Sequence, residues 1–226
     1  MNRAALELVV ARHREDLRWL KRVPRDVRLT VYDKSGEAAA GHHALPNVGR
    51  EAQTYLHHIV RRYDDLADWT VFVQGKPFDH APDLHKRLRA WVEGRERIGP
   101  FRWLGFLVDW DDARGGRLFQ NWSKNPERRP LDMTGFARAL GEEAFGRAPF
   151  VFFGGAQFAV SRETIRARPL SFYERARSVS ESFPNAAHCF ERVWDRVFGV
   201  DGLPVELRDR PLPIYLKPIR RLSGAE

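Results

Sequence analysis

Sulfur and lysine are both in short supply in this 226-residue sequence, and each shortage excludes something. The one cysteine, Cys189, has no partner for an internal disulfide and rules out a cysteine-rich zinc site. Only 6 of the 38 basic residues are lysine, the other 32 being arginine. These charges are spread along the whole chain, with no block of five in a row. The net charge of +8 therefore lacks the compact basic stripe of a nucleic-acid binder, and nucleic acid is not the expected partner. Phosphate and other anionic ligands stay open, because arginine forks match phosphate oxygens, and peripheral membrane contact stays open for the same reason. No apolar run approaches the roughly 20 residues of a membrane span. The opening MNRAALELVVARHRED is too short in apolar residues for a signal peptide, so the expectation is a cytoplasmic chain. Phosphate-binding Walker loops, G-x-S-x-G elbows and zincin helices are all missing, which removes the commonest hydrolase readings.

What is present is core-forming material: 43% hydrophobic and 12% aromatic residues, enough for one globular domain. LELVVA (Leu6 to Ala11) reads as a buried parallel strand and Glu15 to Val23 as a helix. VRLTVY (Val27 to Tyr32) alternates and then breaks at Asp33-Lys34-Ser35-Gly36. Asn47 can cap a helix carrying Ala52, Tyr55, Leu56, Ile59, Val60 and Tyr63 on one face. WTVFVQ (Trp69 to Gln74) is a further strand, stopped by Gly75 and Pro77. The alternation of strand and helix predicts an α/β fold with a mainly parallel central sheet. Beyond it lie a short amphipathic stretch at Leu84 to Val92, one strand in FRWLGFLVDW and a helix over Leu131 to Phe145. PFVFFGGAQFAVSR gives a strand pair or bend at Gly154-Gly155. Helices over Glu163 to Ala167, Leu170 to Val179 and Ala186 to Phe198 follow, with LPIYL a last strand. The nucleotide-binding half of such a fold covers about 5–112, a second half about 130–200, and a basic, proline-rich tail 204–226.

Parallel α/β sheets bind ligands outside the carboxyl ends of their strands. Five clusters follow apolar runs: His13 to Asp16, Asp33 to Ser35, Gln74 to His80, Asp109 to Asp112 and Gly154 to Gln157. Asn47, Gly49, Arg50 and Glu51 sit where a loop enters a helix, a position that favours anions, although a plain cap and a solvated Arg50–Glu51 pair account for the same residues. Asp109-Trp110-Asp111 has the Asp-x-Asp form that can share Mg²⁺ or Mn²⁺ with a diphosphate, while DDARGG also reads as an ordinary solvated turn. Gln74 and Lys76 could hold a diphosphate without metal, with Asp79 and His80 offering ligand or base functions. Glu191 is either a surface acid or a general base beside Trp194 whose pKa partial burial would raise. Cys189 reads as a packing residue.

Three segments together, LPNVGREAQTYLHHIVRRYDDLADWTVFVQG, GGAQFAVSRETIRARPLSFYERA and ERVWDRVFG, resemble domain of unknown function family 3431 from about Leu6 to Gly199. The chain has Gln74 where many members have His and Asp79-His80 where many have Trp-His. More distantly, the order strand, helix, strand ending in Asp33, Asn-x-Gly helix and apolar strand is similar to the nucleotide-binding half of GT-A glycosyltransferases. That similarity implies a nucleotide-sugar donor held by Asp33, Asn47, Arg50, Gln74 and Lys76. It further implies an acceptor, a glycan or small molecule, at Gly155, Gln157 and Trp194, with Glu191 as base and Asp79 and His80 in support. In those enzymes an Asp-x-Asp pair holds the metal. Here Gln74 and Lys76 stand in its place, so Mn²⁺ or Mg²⁺ is either dispensed with or supplied by Asp109 and Asp111. The alternative is a non-catalytic module binding carbohydrate or phosphate ligands on the same fold.

Overall fold

The computed structural model describes residues 5–117 and 130–216. Its centre is a six-stranded sheet built from β1 (Leu6–Arg12), β2 (Val27–Asp33), β3 (His43–Ala44), β4 (Trp69–Gln74), β5 (Phe101–Trp103) and β8 (Phe158–Ser161), in the order β3-β2-β1-β4-β8-β5. The first four run parallel, with β1 central: Leu8 pairs with Leu29 on one side and Val71 on the other. Only β8 is reversed, antiparallel to both β4 and β5. A second sheet, β7-β6-β9, joins β6 (Leu107–Asp111) to β7 (Phe150–Phe153) and β9 (Ile214–Tyr215), all antiparallel. The three strands expected as neighbours in one sheet, at Leu6, Val27 and Trp69, are neighbours.

The central strands are apolar on both faces because both faces are covered. On one side Tyr55, Leu56 and Ile59 of α1 (Arg50–Arg62), all fully buried, pack with Phe72, Phe158 and Trp194. Burial of each such side chain contributes about 1.5–3 kcal/mol. On the other side Val10, Val71 and Val73 meet Leu84, Leu88 and Trp91 of α2 (Leu84–Val92). One polar residue interrupts β1. Glu7 is buried, paired with Arg28 and accepting from Thr30 Oγ1 at 2.7 Å, which satisfies a carboxylate that the sheet interior would otherwise penalise.

Several sequence expectations need correction. Glu15 to Val23 forms only a short 3-10 turn, Arg18–Arg22. Asn47 does not cap α1. Gly49 does, in the left-handed region, and a Cβ there would meet the Gln53 Cβ at 2.7 Å and the Ser180 carbonyl. FRWLGFLVDW is two strands in two sheets, and PFVFFGGAQFAVSR likewise leaves β7 in the small sheet and enters β8 in the large one. Leu131 to Phe145 becomes α3 (Met133–Leu140) followed by a 3-10 turn after Gly141. The helices α4 (Arg162–Arg166) and α5 (Leu170–Ser182) match their segments, whereas Ala186 to Phe198 splits into α6 (Ala186–Glu191) and α7 (Trp194–Val197). The end of the basic tail, 217–226, lies outside the described residues.

Candidate functional site

From β1 the chain moves to β2 and β3 on one side, then crosses to β4 on the other, so the strand order reverses between β1 and β4. Ligands in open α/β sheets bind in the crevice that such a reversal opens at the carboxyl strand ends. A cavity of about 480 Å³ lies there. Its walls come from Arg12, His13 and Glu15 after β1, Lys34 after β2, Asn47, Arg50 and Glu51 at the entry to α1, and Gln74, Lys76 and Asp79 after β4. Three of the five sequence clusters therefore converge, with four of the five residues expected to hold the donor: Asn47, Arg50, Gln74 and Lys76.

The fifth, Asp33, stands behind the wall. Its carboxylate is fully buried, paired with Arg12, 3.5 Å from His42 Nδ1 and accepting the Ser35 amide at 2.9 Å. Burial alone would raise its pKa, but the Ser35 and Arg12 bonds outweigh it and hold the group at about 2. Asp33 thus fixes the β2 turn and orients Arg12, and presents no free edge to a base. Its neighbour Lys34 faces the cavity. Only 5% exposed, it donates to the Val48 carbonyl at 2.5 Å and Gln53 Oε1 at 2.6 Å, and burial pulls its pKa down to about 8.

A chain of contacts leads from this wall to the second half of the molecule. Arg50 Nη1 lies 3.3 Å from His188 Nε2, His188 Nδ1 lies 3.9 Å from Glu191, and Glu191 Oε1 accepts the Gly155 amide at 2.7 Å. Gly155 has φ +97°, and a Cβ there would lie 2.6 Å from the Cβ of His80. Arg50, Glu191, Gly155 and His80 thus form one neighbourhood beside the cleft. Glu191 departs from expectation in one respect. Burial would raise its pKa, but the neighbouring His188 ring, the Arg192 charge and the Gly155 amide together lower it to about 2.

The remaining assignments fall elsewhere. Gln157 is fully buried, donating from Nε2 to the Pro77 carbonyl at 3.0 Å and bracing the loop after β4 from beneath. Trp194 is also fully buried, stacked on Phe190 and Phe198, and has no surface to offer an acceptor. Asp109 and Asp111 share the inner face of β6 in the small sheet. Arg117 pairs with Asp109 at 2.8 Å, and the fully buried Arg192 pairs with Asp111. Both carboxylates are thus committed to arginines. Among the described residues no group of three or more His, Cys, Asp or Glu could hold a metal ion. Cys189 is buried, and burial pushes its thiol pKa up to about 12, as befits a packing residue.

Sequence reasoning passed over Arg12 and His188, and gave no separate role to Lys34, inside the Asp33 to Ser35 cluster, or to Glu51, named beside Arg50 at the entry to the helix. Arg12 adjoins a cluster that a strand end had already marked. For His188 no local pattern gave a signal.

No curated protein and no solved structure matches the chain. The segments GGAQFAVSRE and ERVWDRVFG fall outside the span of the family match. Residues 8–92, from β1 to the end of α2 and with every strand end that lines the cleft, match the family model described as Protein of unknown function (DUF3431).

Proposed function

We propose that the chain is a GT-A-like glycosyltransferase, moving a sugar from a nucleotide-sugar donor to a hydroxyl acceptor. The observation that carries this reading is the cleft at the strand-order reversal. It gathers Lys34, Arg50 and Lys76 with the amides of Asn47 and Gln74, and Arg50 joins it through His188 to Glu191. Positive charge in a walled crevice suits the diphosphate of a donor, and it is needed most when that diphosphate leaves. Arg50 supplies a bidentate donor at the entry of α1, Lys34 a desolvated ammonium, and Lys76 an exposed one shared with Asp79 at 3.0 Å. The residues present do not fit a divalent ion: Gln74 and Lys76 occupy the strand end, and Asp109 and Asp111 are held by arginines. Neutralisation of the leaving group is therefore assigned to the cations.

Calorimetry with a panel of UDP- and GDP-sugars, with and without Mn²⁺, tests the reading. Binding should be independent of Mn²⁺. Arg50→Ala should weaken it about 10- to 100-fold, the worth of a hydrogen bond to a charged group. No binding at millimolar donor would end the proposal. A second reading, a non-catalytic ligand-binding module, draws on the low pKa of Glu191, which makes that residue a poor proton acceptor. Donor binding without release of nucleoside diphosphate would select it.

A further inference from the structure

We propose that Glu51, at the mouth of α1, is the catalytic residue that takes the proton of the attacking hydroxyl, and that Glu191 is a fixed anion that positions its neighbours. The inference rests on the transferase reading above. Glu51 lines the cleft with Lys34, Arg50 and Gln74, where donor and acceptor would meet, yet only 11% of its side chain is exposed. Among the described residues its one ion-pair contact is long, 3.7 Å to Arg50 Nε, and no hydrogen-bond donor besides its own amide reaches it. Glu191 differs in being hydrogen-bonded: it accepts the Gly155 amide at 2.7 Å, with the His188 ring at 3.9 Å and Arg192 at 3.8 Å as further cationic neighbours. A carboxylate already bonded to that extent has little basicity left, while an under-bonded one in the wall of a cleft keeps it.

A second observation falls on the same helix face. One turn beyond Glu51, the Tyr55 hydroxyl is fully buried and has no hydrogen-bond partner among the described residues. Buried hydroxyls are rarely left unmet, and those that are cluster where a ligand or a water completes them. Glu51 and Tyr55 lie four residues apart and so share a face, which places an unused hydrogen bond beside the carboxyl. The charges around Glu51 also favour the role. Burial raises its pKa, Arg50 on its own helix and His188 on α6 lower it, and Glu191 on α6 raises it again. Arg12, His13 and Glu15 after β1, Lys34 after β2, and Lys76 and Asp79 after β4 face the same cavity. Two carboxyls whose surroundings drive them apart in this way divide the roles of base and fixed charge.

In the step itself the acceptor oxygen attacks the anomeric carbon and forms the new glycosidic bond. The bond from that carbon to the diphosphate oxygen breaks, and its electron pair leaves with the nucleoside diphosphate. The hydroxyl proton passes to the Glu51 carboxylate.

The test uses the full chain and the UDP- or GDP-sugar that the wild type binds most tightly, with water or added simple alcohols as acceptor. Release of nucleoside diphosphate is followed from pH 5 to 9 for the wild type, Glu51→Gln, Glu51→Asp and Glu191→Gln, with donor binding measured in parallel. Glu51→Gln should keep donor affinity within about threefold yet lose about 10²-fold or more in release, and it should abolish the acidic limb of the pH profile. Glu51→Asp should restore part of the rate. In Glu191→Gln the acidic limb should survive and move to lower pH, because the charge that raises the Glu51 pKa is gone. Wild-type release and an unchanged acidic limb in Glu51→Gln would overturn the assignment, as would loss of that limb in Glu191→Gln. Failure of every nucleotide sugar to bind the wild type would instead remove the transferase reading, and this inference with it.

Discussion

Replacing Gly155 by alanine sets two costs against each other that a double-mutant cycle can separate. The first is conformational. At φ +97° an L-residue sits in a region almost reserved for glycine, a strain of about 1–3 kcal/mol. The second is steric. The new Cβ would stand 2.6 Å from the Cβ of His80, so rotation of the ring cannot relieve the clash and the loop after β4 must shift, at about 1–3 kcal/mol. Gly155→Ala should therefore lose about 3 kcal/mol or more in urea unfolding. In a His80→Gly background the steric part is removed, because the Cβ that the new methyl meets is gone together with the ring, so the same substitution should cost about 1–2 kcal/mol less. Because the Gly155 amide also holds Glu191, a lower donor affinity should accompany the stability loss and recover in part in the double variant. Equal costs in both backgrounds would show that His80 does not press on Gly155, and the link between the loop after β4 and Glu191 would fall.

Two further outcomes follow from buried charges. Arg192→Ala removes the buried guanidinium that balances the Asp111 carboxylate, and should cost about 3–5 kcal/mol in urea unfolding. Pairing Arg192→Met with Asp111→Leu should recover most of that loss, and a double variant as unstable as the single one would refute the ion-pair account. Asp195 is raised to about 6, mainly by burial. A carboxyl raised in this way favours the fold below its ordinary value of 3.8, and that contribution is lost as pH rises through about 6. Asp195→Asn should accordingly stabilise the protein by about 1–3 kcal/mol at pH 8 and have no such benefit at pH 4, read from thermal melts at both. A gain of the same size at both pH values would contradict the assignment.

The parallel strands were legible because LELVVA and WTVFVQ are short apolar runs between turn residues, and a strand buried on both faces needs that composition. Their convergence followed from topology alone, since each carboxyl end brings its trailing polar residues to one edge of the sheet. Legibility failed where distant contacts decide the outcome. FRWLGFLVDW gives no sign that Leu104 to Phe106 lead the chain from one sheet to another. Arg192 looks like a surface residue of a continuous helix, yet it is buried against Asp111, 81 residues away. The same blindness affected charge. Glu191 was expected to gain basicity from burial, but the Gly155 amide that offsets this arrives from 36 residues upstream. Glu51 and Arg50, adjacent in sequence, looked self-sufficient, and only the cleft wall makes one of them under-bonded.

The reversed strand β8 has a consequence for how the molecule is made. The ladders that join β3, β2, β1 and β4 involve no later strand, so a growing chain can assemble them, and with them the strand ends that line the cleft, once the loop after Gln74 has emerged. The far edge of β4 must then wait for Phe158 to Ser161, with Val71 and Phe72 beside an unpaired ladder through the whole interval. Such an edge invites pairing with another chain, so truncations that stop before β8 should precipitate even though their parallel core is complete. His188 and Glu191 follow β8 in the sequence, so the contacts that reach Arg50 from beside the cleft are added to a wall that already exists. The full set of contacts around Arg50 thereby becomes a report that synthesis has run past α6.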